Sequence, residues 1–166
     1  MTSLKRITIY TDGACLGNPG PGGYGVVLLY DGNRRELSEG FRLTTNNRME
    51  LLAAIEGLAA LKERCEVTLF SDSQYVVASM DQGWAKRWRI NGWRRNKKKE
   101  KALNVDMWEA LLDLDSKHEV GYEWVKGHAG DPENERCDLL ATTAASVAAT
   151  SVDAGYEAVR GSHTAG

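Results

Sequence analysis

The first residues of the chain alternate between apolar and polar positions, which is the pattern of a half-buried strand. Ile7 and Ile9 alternate with polar neighbours and predict a strand that ends near Asp12. The run at 17–23 contains four glycines and two prolines, which excludes a helix and predicts a long turn.

Two more strands are expected before the pattern changes. An apolar run at 26–30 precedes the Asp-Gly-Asn sequence at 31–33, a strong hairpin signal. The strand after this turn places three apolar residues on one face: Leu37, Phe41 and Leu43. The first three strands are therefore predicted to form an antiparallel meander.

Helical periodicity then begins. Apolar residues recur three or four positions apart at Leu51, Leu52, Ile55, Leu58 and Leu61. A short strand follows at 66–70, and the helix between it and the third strand is long enough for a parallel crossover.

The second half of the chain predicts three more helices and a fifth strand. Helices are expected after Ser73 and at 105–114, and alternation at 120–124 predicts the strand. Asp131, Pro132 and Glu133 open a last helix as N-cap, first helical residue and first-turn acid.

The expected fold is a mixed α/β domain. Its five-stranded sheet has three antiparallel strands followed by parallel additions, with helices on both faces. Residues 1–149 form this domain. Residues 150–166 are rich in Ser, Gly and Ala, and a mobile tail is expected there.

Size and composition exclude several classes of protein. The 166 residues suit one domain, 42% of them are hydrophobic, and no apolar run approaches the roughly 20 residues of a membrane span. Three cysteines without metal-ligand spacing indicate free thiols in a reducing cytoplasm. A monomer with no obligate protein partner is the default expectation.

Charge is concentrated in one segment, although the net charge is only −2. Nine basic residues and one acid lie between Lys86 and Lys101, so this basic arm (84–101) carries +8 and the rest of the chain −10. Such polarity is typical of a protein that binds a polyanion.

Four carboxylates are the candidates for chemistry: Asp12, Glu50, Asp72 and Asp138. Asp12 and Asp72 end predicted strands, at the sheet edge where open α/β sheets tend to bind ligands. Glu50 borders the helix face turned to the sheet, and Asp138 lies on a helix face of small residues.

Each acid also has a purely structural interpretation. Asp12 precedes a glycine and suits a turn, and Glu50 suits a capping box that begins at Asn47. Asp72 suits the cap of the next helix, and Asp138 an ordinary surface charge.

Convergence of the four acids has an energetic consequence. Two like charges about 4 Å apart repel by about 4 kcal/mol at an effective dielectric constant near 20. A cluster of this kind needs a compensating cation, and all-oxygen ligands select Mg²⁺ or Mn²⁺. A pair of such ions suits in-line displacement at phosphorus.

The contexts of these acids resemble ribonuclease H of type 1, the bacterial-style branch. The matching segments are YTDGA at 10–14, NNRME at 46–50, SDSQY at 71–75 and KGHAGDPENERCD at 126–138. The resemblance covers roughly residues 4–145. It implies an endonuclease that cuts the RNA strand of RNA–DNA hybrids and leaves 5′-phosphate and 3′-hydroxyl ends.

The resemblance also implies roles for the site residues. Asp12 is expected to bridge two Mg²⁺ ions, which Mn²⁺ can replace. Asp138 is expected to hold the ion that activates water, and Glu50 and Asp72 the ion at the leaving 3′ oxygen. His128 matches a mobile histidine that aids proton transfer or product release; the alternative is a solvated loop residue.

Further positions match the family's substrate contacts. A minor-groove set that detects the 2′-hydroxyl corresponds to Cys15, Asn18, Asn46, Asn47 and Gln74. A phosphate pocket for the DNA strand corresponds to Thr45 and Asn104. Some relatives place an arginine where this chain has Leu43, and the adjacent Arg42 faces the other side of its strand.

The basic arm resembles the family's protrusion that grips the DNA strand. Its expected contacts are Trp84, Lys86, Arg87, Trp88 and Arg89. Trp84 and Trp88 share a helical face, and they either fasten the arm to the body or touch the substrate.

Two other functions remain open on sequence alone. The first is a binding-only protein that uses the arm and keeps the fold as a scaffold. The second is another nuclease of the same superfamily, of the junction resolvase or integrase type. Retention of all four acids and His128 weighs against the first, and the tryptophan-rich arm against the second.

Overall fold

The computed structural model describes residues 3–94 and 103–164. Its elements are, in order, β1 Lys5–Cys15, β2 Gly20–Tyr30, β3 Asn33–Thr44, α1 Asn46–Ala59, β4 Cys65–Ser71, α2 Gln74–Asp81, α3 Trp84–Ile90, α4 Val105–Asp115, β5 Glu119–Trp124, α5 Pro132–Val147, β6 Ala149–Ser151 and α6 Ala154–Thr164.

The sheet has the mixed topology that the sequence predicts, with one additional strand. Its order is β5-β4-β1-β2-β3-β6. The β1–β2 and β2–β3 pairs are antiparallel, whereas β4 pairs with β1, and β5 with β4, in parallel. The predicted meander, parallel additions and α/β class are confirmed, and the predicted count of five strands is one too low.

The predicted turn at 17–23 is too long, because β2 already begins at Gly20. Two glycines of β2, Gly23 and Gly25, allow close packing of a helix on the sheet. A Cβ atom at Gly23 would lie 2.6 Å from the carbonyl oxygen of Ala141, and one at Gly25 would overlap the carbonyl oxygen of Cys137. Helix α5 therefore rests directly on the backbone of β2.

Helices cover both faces of the sheet, and the main apolar core lies between the sheet and α1. Gly57 of α1 faces Ile9 and Val26, so α1 packs on the face opposite α5. The core extends to α4, where Trp108 is fully buried, and to α2 through Val76. None of the helices in the described ranges is long and apolar enough to cross a membrane.

The segment from Thr150, expected to be a mobile tail, instead forms regular structure up to Thr164. Strand β6 pairs with β3 in parallel, and α6 follows it. Asp153, between them, is 4% exposed and accepts a hydrogen bond from the backbone N–H of Tyr156. The sequence does contain an N-cap signal there, an aspartate directly before the helical residues, but the composition rich in Ser, Gly and Ala suggested a tail.

Asp153 is the partner of a buried arginine that precedes it by 105 residues in the chain. Arg48 Nε donates to Asp153 Oδ2 at 2.7 Å and Arg48 Nη2 to Asp153 Oδ1 at 2.9 Å. The hydroxyl of Thr44 also donates to Asp153, at 2.6 Å. The far edge of the guanidinium binds Asp106 of α4. One cation thus joins the beginnings of α1, α4 and α6.

We expect Asp153→Ala to destabilise the protein by about 3 kcal/mol, because it leaves a buried guanidinium with only the half-exposed Asp106 as a charged partner. Urea unfolding measures the loss. The matched control is Glu157→Gln, which weakens the exposed pair with Arg42 and should cost less than about 1 kcal/mol. Equal losses of unfolding free energy in the two variants would contradict the larger contribution expected of the buried pair.

A second prediction concerns the buried His118, whose Nδ1 accepts a hydrogen bond from the backbone N–H of Cys65 at 3.1 Å. Burial lowers its pKa below the usual 6.5, so the neutral form is favoured by folding. Stability should be complete above about pH 6.5, the unfolded pKa, and fall as the pH drops through it toward the folded pKa. Urea unfolding between pH 7.5 and 5.5 should show a shallower fall in His118→Gln, which cannot be protonated.

Candidate active site

Two of the predicted acids lie side by side where the parallel pairing of β1 and β4 stops, although β1 itself continues beyond its predicted end at Asp12 to Cys15. The register of β1 and β4 pairs Thr11 with Ser71 as its last step, so Asp12 and Asp72 occupy equivalent next positions. Asp12 is 3% exposed, whereas Asp72 is only partly buried. The sheet itself therefore sets these two carboxylates next to each other.

Glu50 reaches the same point from α1, because Gly13 lets the helix approach β1. A Cβ atom at Gly13 would overlap the backbone nitrogen of Glu50. Thr45 begins α1 and accepts a hydrogen bond from the backbone N–H of Arg48 at 3.3 Å. Carboxylate oxygens of Asp12, Glu50 and Asp72 lie within 4.8 Å of one another.

Asp138 approaches from the other face of the sheet on α5. Asp12 pairs with Gly25, and the residue before Asp138 rests on this glycine. Among the described residues Asp138 is outside the group of three within 4.8 Å, but its charge raises the pKa of both Asp12 and Asp72. The structure thus brings three acids into contact and the fourth into electrostatic range.

Burial and repulsion between like charges raise the pKa values of the carboxyl groups in this cluster. Burial, followed by the charges of Asp72 and Asp138, raises the pKa of Asp12 to about 8. Burial, followed by the charges of Asp12 and Asp72, raises the pKa of Glu50 well above its usual value. The backbone N–H of Gly13 donates to Asp12 at 2.8 Å, which offsets only part of the effect.

A divalent cation fits this donor set. The oxygens of the cluster are carboxylate oxygens, and Glu50 Oε2 is buried without a hydrogen-bond partner. A buried unpartnered acceptor beside like charges is costly unless a cation binds it. The sequence expectation of an oxygen-lined metal site therefore agrees with the geometry.

His128 lies in the loop between β5 and α5 and is exposed. Its backbone has a φ of 58°, the left-handed region, so the loop turns sharply there. The preceding residue, Gly127, lies against Asp72, since a Cβ atom there would stand 2.9 Å from Asp72 Oδ2, so the loop carries His128 beside the cluster.

Three of the candidate minor-groove residues, Cys15, Asn18 and Asn46, lie at the end of the meander. Cys15 Sγ contacts the carbonyl oxygens of Gly20 and Thr44. Asn18 Oδ1 accepts a hydrogen bond from the backbone N–H of Asn46 at 3.1 Å. Asn47, and Gln74 two residues after Asp72, are exposed.

Thr45 and Asn104, the candidate phosphate pocket, are joined by Arg48. This arginine donates through its backbone to Thr45 and through Nη1 to Asn104 Oδ1 at 3.4 Å. Arg42, the neighbour of Leu43, forms an ion pair with Glu157 instead.

The basic arm begins as helix α3, and residues 95–101 lie outside the described residues. Trp88 packs edge-on against the buried Trp108, with ring centroids 5.6 Å apart, so it fastens the arm to the body. Trp84 is 43% exposed. Arg89 binds Asp113 at 3.0 Å and Lys86 lies 3.9 Å from Asp115, while Arg87 is exposed.

Comparison with known proteins agrees with this geometry. The family model described as RNase H matches residues 4–146. The chain belongs to the ribonuclease H family. A ribonuclease H from Desulforamulus reducens is 69% identical over 144 residues, which is 87% of this chain and 90% of the relative. A ribonuclease HI from Synechocystis is 56% identical over 153 residues, 92% and 95% of the two chains.

Solved ribonuclease H structures share the fold. LC9-RNase H1, a type 1 RNase H with the type 2 active-site motif, superposes with a TM-score of 0.78 at 34% identity over 95% of this chain and 81% of its own. LC11-RNase H1, solved in complex with an RNA/DNA hybrid, gives a TM-score of 0.64 at 30% identity over 84% of this chain and 96% of its own. These likenesses place the chain in the type 1 branch.

Sequence reasoning missed one contact that supports the cluster. The indole N–H of Trp124 donates to the carbonyl oxygen of Asp72. Trp124 does not stand out by type or spacing, and only the β4–β5 register could have placed it beside Asp72.

We expect Asp12→Asn to stabilise the metal-free protein at pH 7–8 and to weaken its response to metal. The Asp12 pKa is raised in the folded state, so its contribution to stability is present below about pH 4 and is lost as the pH rises through about 8. Asparagine removes this loss, a gain on the order of 2 kcal/mol.

Thermal unfolding with chelator and with Mg²⁺ measures both effects. Mg²⁺ should raise the melting temperature of the parent protein by linkage and that of the variant much less. A parent protein that melts above Asp12→Asn in chelator, or an equal Mg²⁺ response in both, would contradict the electrostatic account of the cluster.

Proposed function

We propose that this protein is an endonuclease that hydrolyses the RNA strand of RNA–DNA hybrids and leaves 5′-phosphate and 3′-hydroxyl ends. The observation that carries the proposal is the close group of the buried Asp12 and Glu50 and the partly buried Asp72, with Asp138 in electrostatic range. It is supported by family membership and by the relative solved with an RNA/DNA hybrid.

Mg²⁺ is the proposed cofactor, with Mn²⁺ as a substitute, held by Asp12, Glu50, Asp72 and Asp138. Two such ions supply charge neutralisation at the phosphate and a nucleophilic water near neutral pH. The protein buries Asp12 and Glu50 and holds Asp72 close to them, so that the fold, rather than the substrate, bears the cost of their repulsion.

His128 is proposed to move a proton near the scissile phosphate or to help product leave. Its exposure on a sharply turned loop beside Asp72 suits a group that must reach solvent and substrate in turn. Proton transfer of this kind contributes about 10²–10⁴-fold to a rate.

Recognition of the hybrid is proposed to use the polar edge beside the cluster. Asn18 accepts from the Asn46 backbone through Oδ1, which leaves its amide N–H groups to donate to a 2′-hydroxyl. Cys15, Asn47 and Gln74 complete this minor-groove set. Thr45 and Asn104, ordered by Arg48, are proposed to bind a phosphate of the DNA strand.

The arm is proposed to add contacts to the DNA strand from Trp84, Lys86, Arg87 and Arg89, while Trp88 serves mainly as its anchor. These contacts are to phosphate and carry no base readout, so little sequence preference follows. A monomer in the cytoplasm is the simplest setting, and the three free cysteines suit it.

One assay tests the proposal. Labelled RNA–DNA hybrid, duplex DNA, duplex RNA and a four-way DNA junction are incubated with the parent protein and with Asp12→Asn, in Mg²⁺, in Mn²⁺ and in chelator. We expect metal-dependent cutting of the hybrid alone. Asp12→Asn should bind hybrid but lose at least about 10³-fold in rate, because it removes a buried carboxylate ligand.

Each other outcome has a defined meaning. Cutting of the junction or of duplex DNA would favour a different nuclease activity of the same fold. Hybrid binding by the parent protein without cleavage would favour a binding protein. Cleavage in chelator at the rate seen in Mg²⁺ would refute the proposed role of the metal.

A further inference from the structure

A strap formed by residues 124–128 crosses the outer side of Asp72. Strand β5 pairs with β4 in parallel, and the last pair in the register is Ser71 with Trp124. One more backbone hydrogen bond, from Val125 N–H to the Ser71 carbonyl at 3.0 Å, extends this ladder. The strap therefore begins directly beside Asp72 and ends at His128.

The first residue of the strap binds the backbone of Asp72. Trp124 Nε1 donates to the Asp72 carbonyl oxygen at 3.1 Å. The indole is 46% exposed, so the core gains only part of the benefit of so large a side chain. Its polar atom is directed to the strand end that carries a carboxylate of the cluster.

The fourth residue of the strap lies against the Asp72 side chain. A Cβ atom at Gly127 would stand 2.9 Å from Asp72 Oδ2 and 3.6 Å from Asp72 Cβ. The backbone of Gly127 is not in the left-handed region, so its small size, and not its φ, is what the position requires. Any larger residue must push either the strap or the carboxylate aside.

We propose that Trp124 is a positioning residue which, together with Gly127, fixes the Asp72 carboxylate and the His128 loop in one geometry. The indole holds the backbone of Asp72, and the bare backbone of Gly127 lets the loop sit against its carboxylate. The inference rests on the proposed function, since it assigns a role in that same site. The proposed role of Trp124 involves no direct contact with substrate or metal.

The test uses Trp124→Phe, which keeps an aromatic ring and loses the N–H, and Gly127→Ala, which adds one methyl group. Matched controls lie on the same strand. Glu123→Gln changes the exposed neighbour of Trp124, and Gly121→Ala adds a Cβ atom whose nearest neighbour is 4.0 Å away.

The readouts are kcat and KM on the hybrid, and binding of Mn²⁺ to the nucleic-acid-free protein by calorimetry. Loss of one hydrogen bond corresponds to about a 5-fold effect, so Trp124→Phe should lower kcat about 5-fold and weaken Mn²⁺ binding by a similar factor. Gly127→Ala should have the larger effect. KM for the hybrid should stay within about twofold, as for loss of an interaction made in the transition state.

A double-mutant cycle with His128→Ala tests whether the strap couples the two groups. If Trp124 acts through Asp72 and His128, the kcat losses of Trp124→Phe and His128→Ala should be less than multiplicative. Equal kcat and Mn²⁺ affinity in Trp124→Phe, Gly127→Ala and the two controls would overturn the inference. So would a change confined to KM, or activity that falls only in proportion to folded protein.

The two proposals fail in different ways. A parent protein that does not cut the hybrid overturns the proposed function. In that case Mn²⁺ binding without nucleic acid still tests the positioning role of Trp124. Weaker binding in Trp124→Phe and Gly127→Ala than in their controls supports that role, and unchanged binding overturns it.

Discussion

Repulsion among carboxylates is the constraint around which this molecule is built. Carboxylate oxygens of Asp12, Glu50 and Asp72 lie within 4.8 Å of one another, and burial together with neighbouring negative charges raises the pKa of all three groups. Local sequence preferences do not favour such an arrangement. It persists because the sheet register and the packing of two helices leave the acids no other position.

Two glycines make this convergence possible, because they have no side chain that would keep the helices away from the strands. Gly13 lets α1 approach β1 closely enough to deliver Glu50, and Gly25 lets α5 rest on β2 and bring Asp138 toward Asp12. These glycines lie within strands, where glycine ordinarily weakens a sheet. The cationic Arg48, two residues before Glu50, is bound by Asp153 and Asp106, so the cluster keeps its demand for an external cation.

The sequence predicts most of the fold because the apolar periodicity is regular where elements are long. It predicts the acids as a site because two end neighbouring strands and a third borders a helix face. The missed features have physical reasons. Glycine-rich β2 has the composition of a turn, and the segment after Thr150 is ordered by Asp153, whose partner Arg48 lies 105 residues away in the sequence. Local sequence patterns predict neither an ion pair between residues so far apart in the chain nor the contact between Trp124 and Asp72.

The paired cations of α3 have a further consequence. Arg89 and Lys86 already face Asp113 and Asp115 on α4, so a polyanion that docks on α3 must exchange with fixed carboxylates as well as displace mobile counterions. Added salt weakens the ion pairs between α3 and α4 as well as those between α3 and the polyanion. If α3 binds the nucleic acid as proposed, binding through Lys86 and Arg89 should therefore depend less on ionic strength, because the carboxylates of α4 compete for the same two cations.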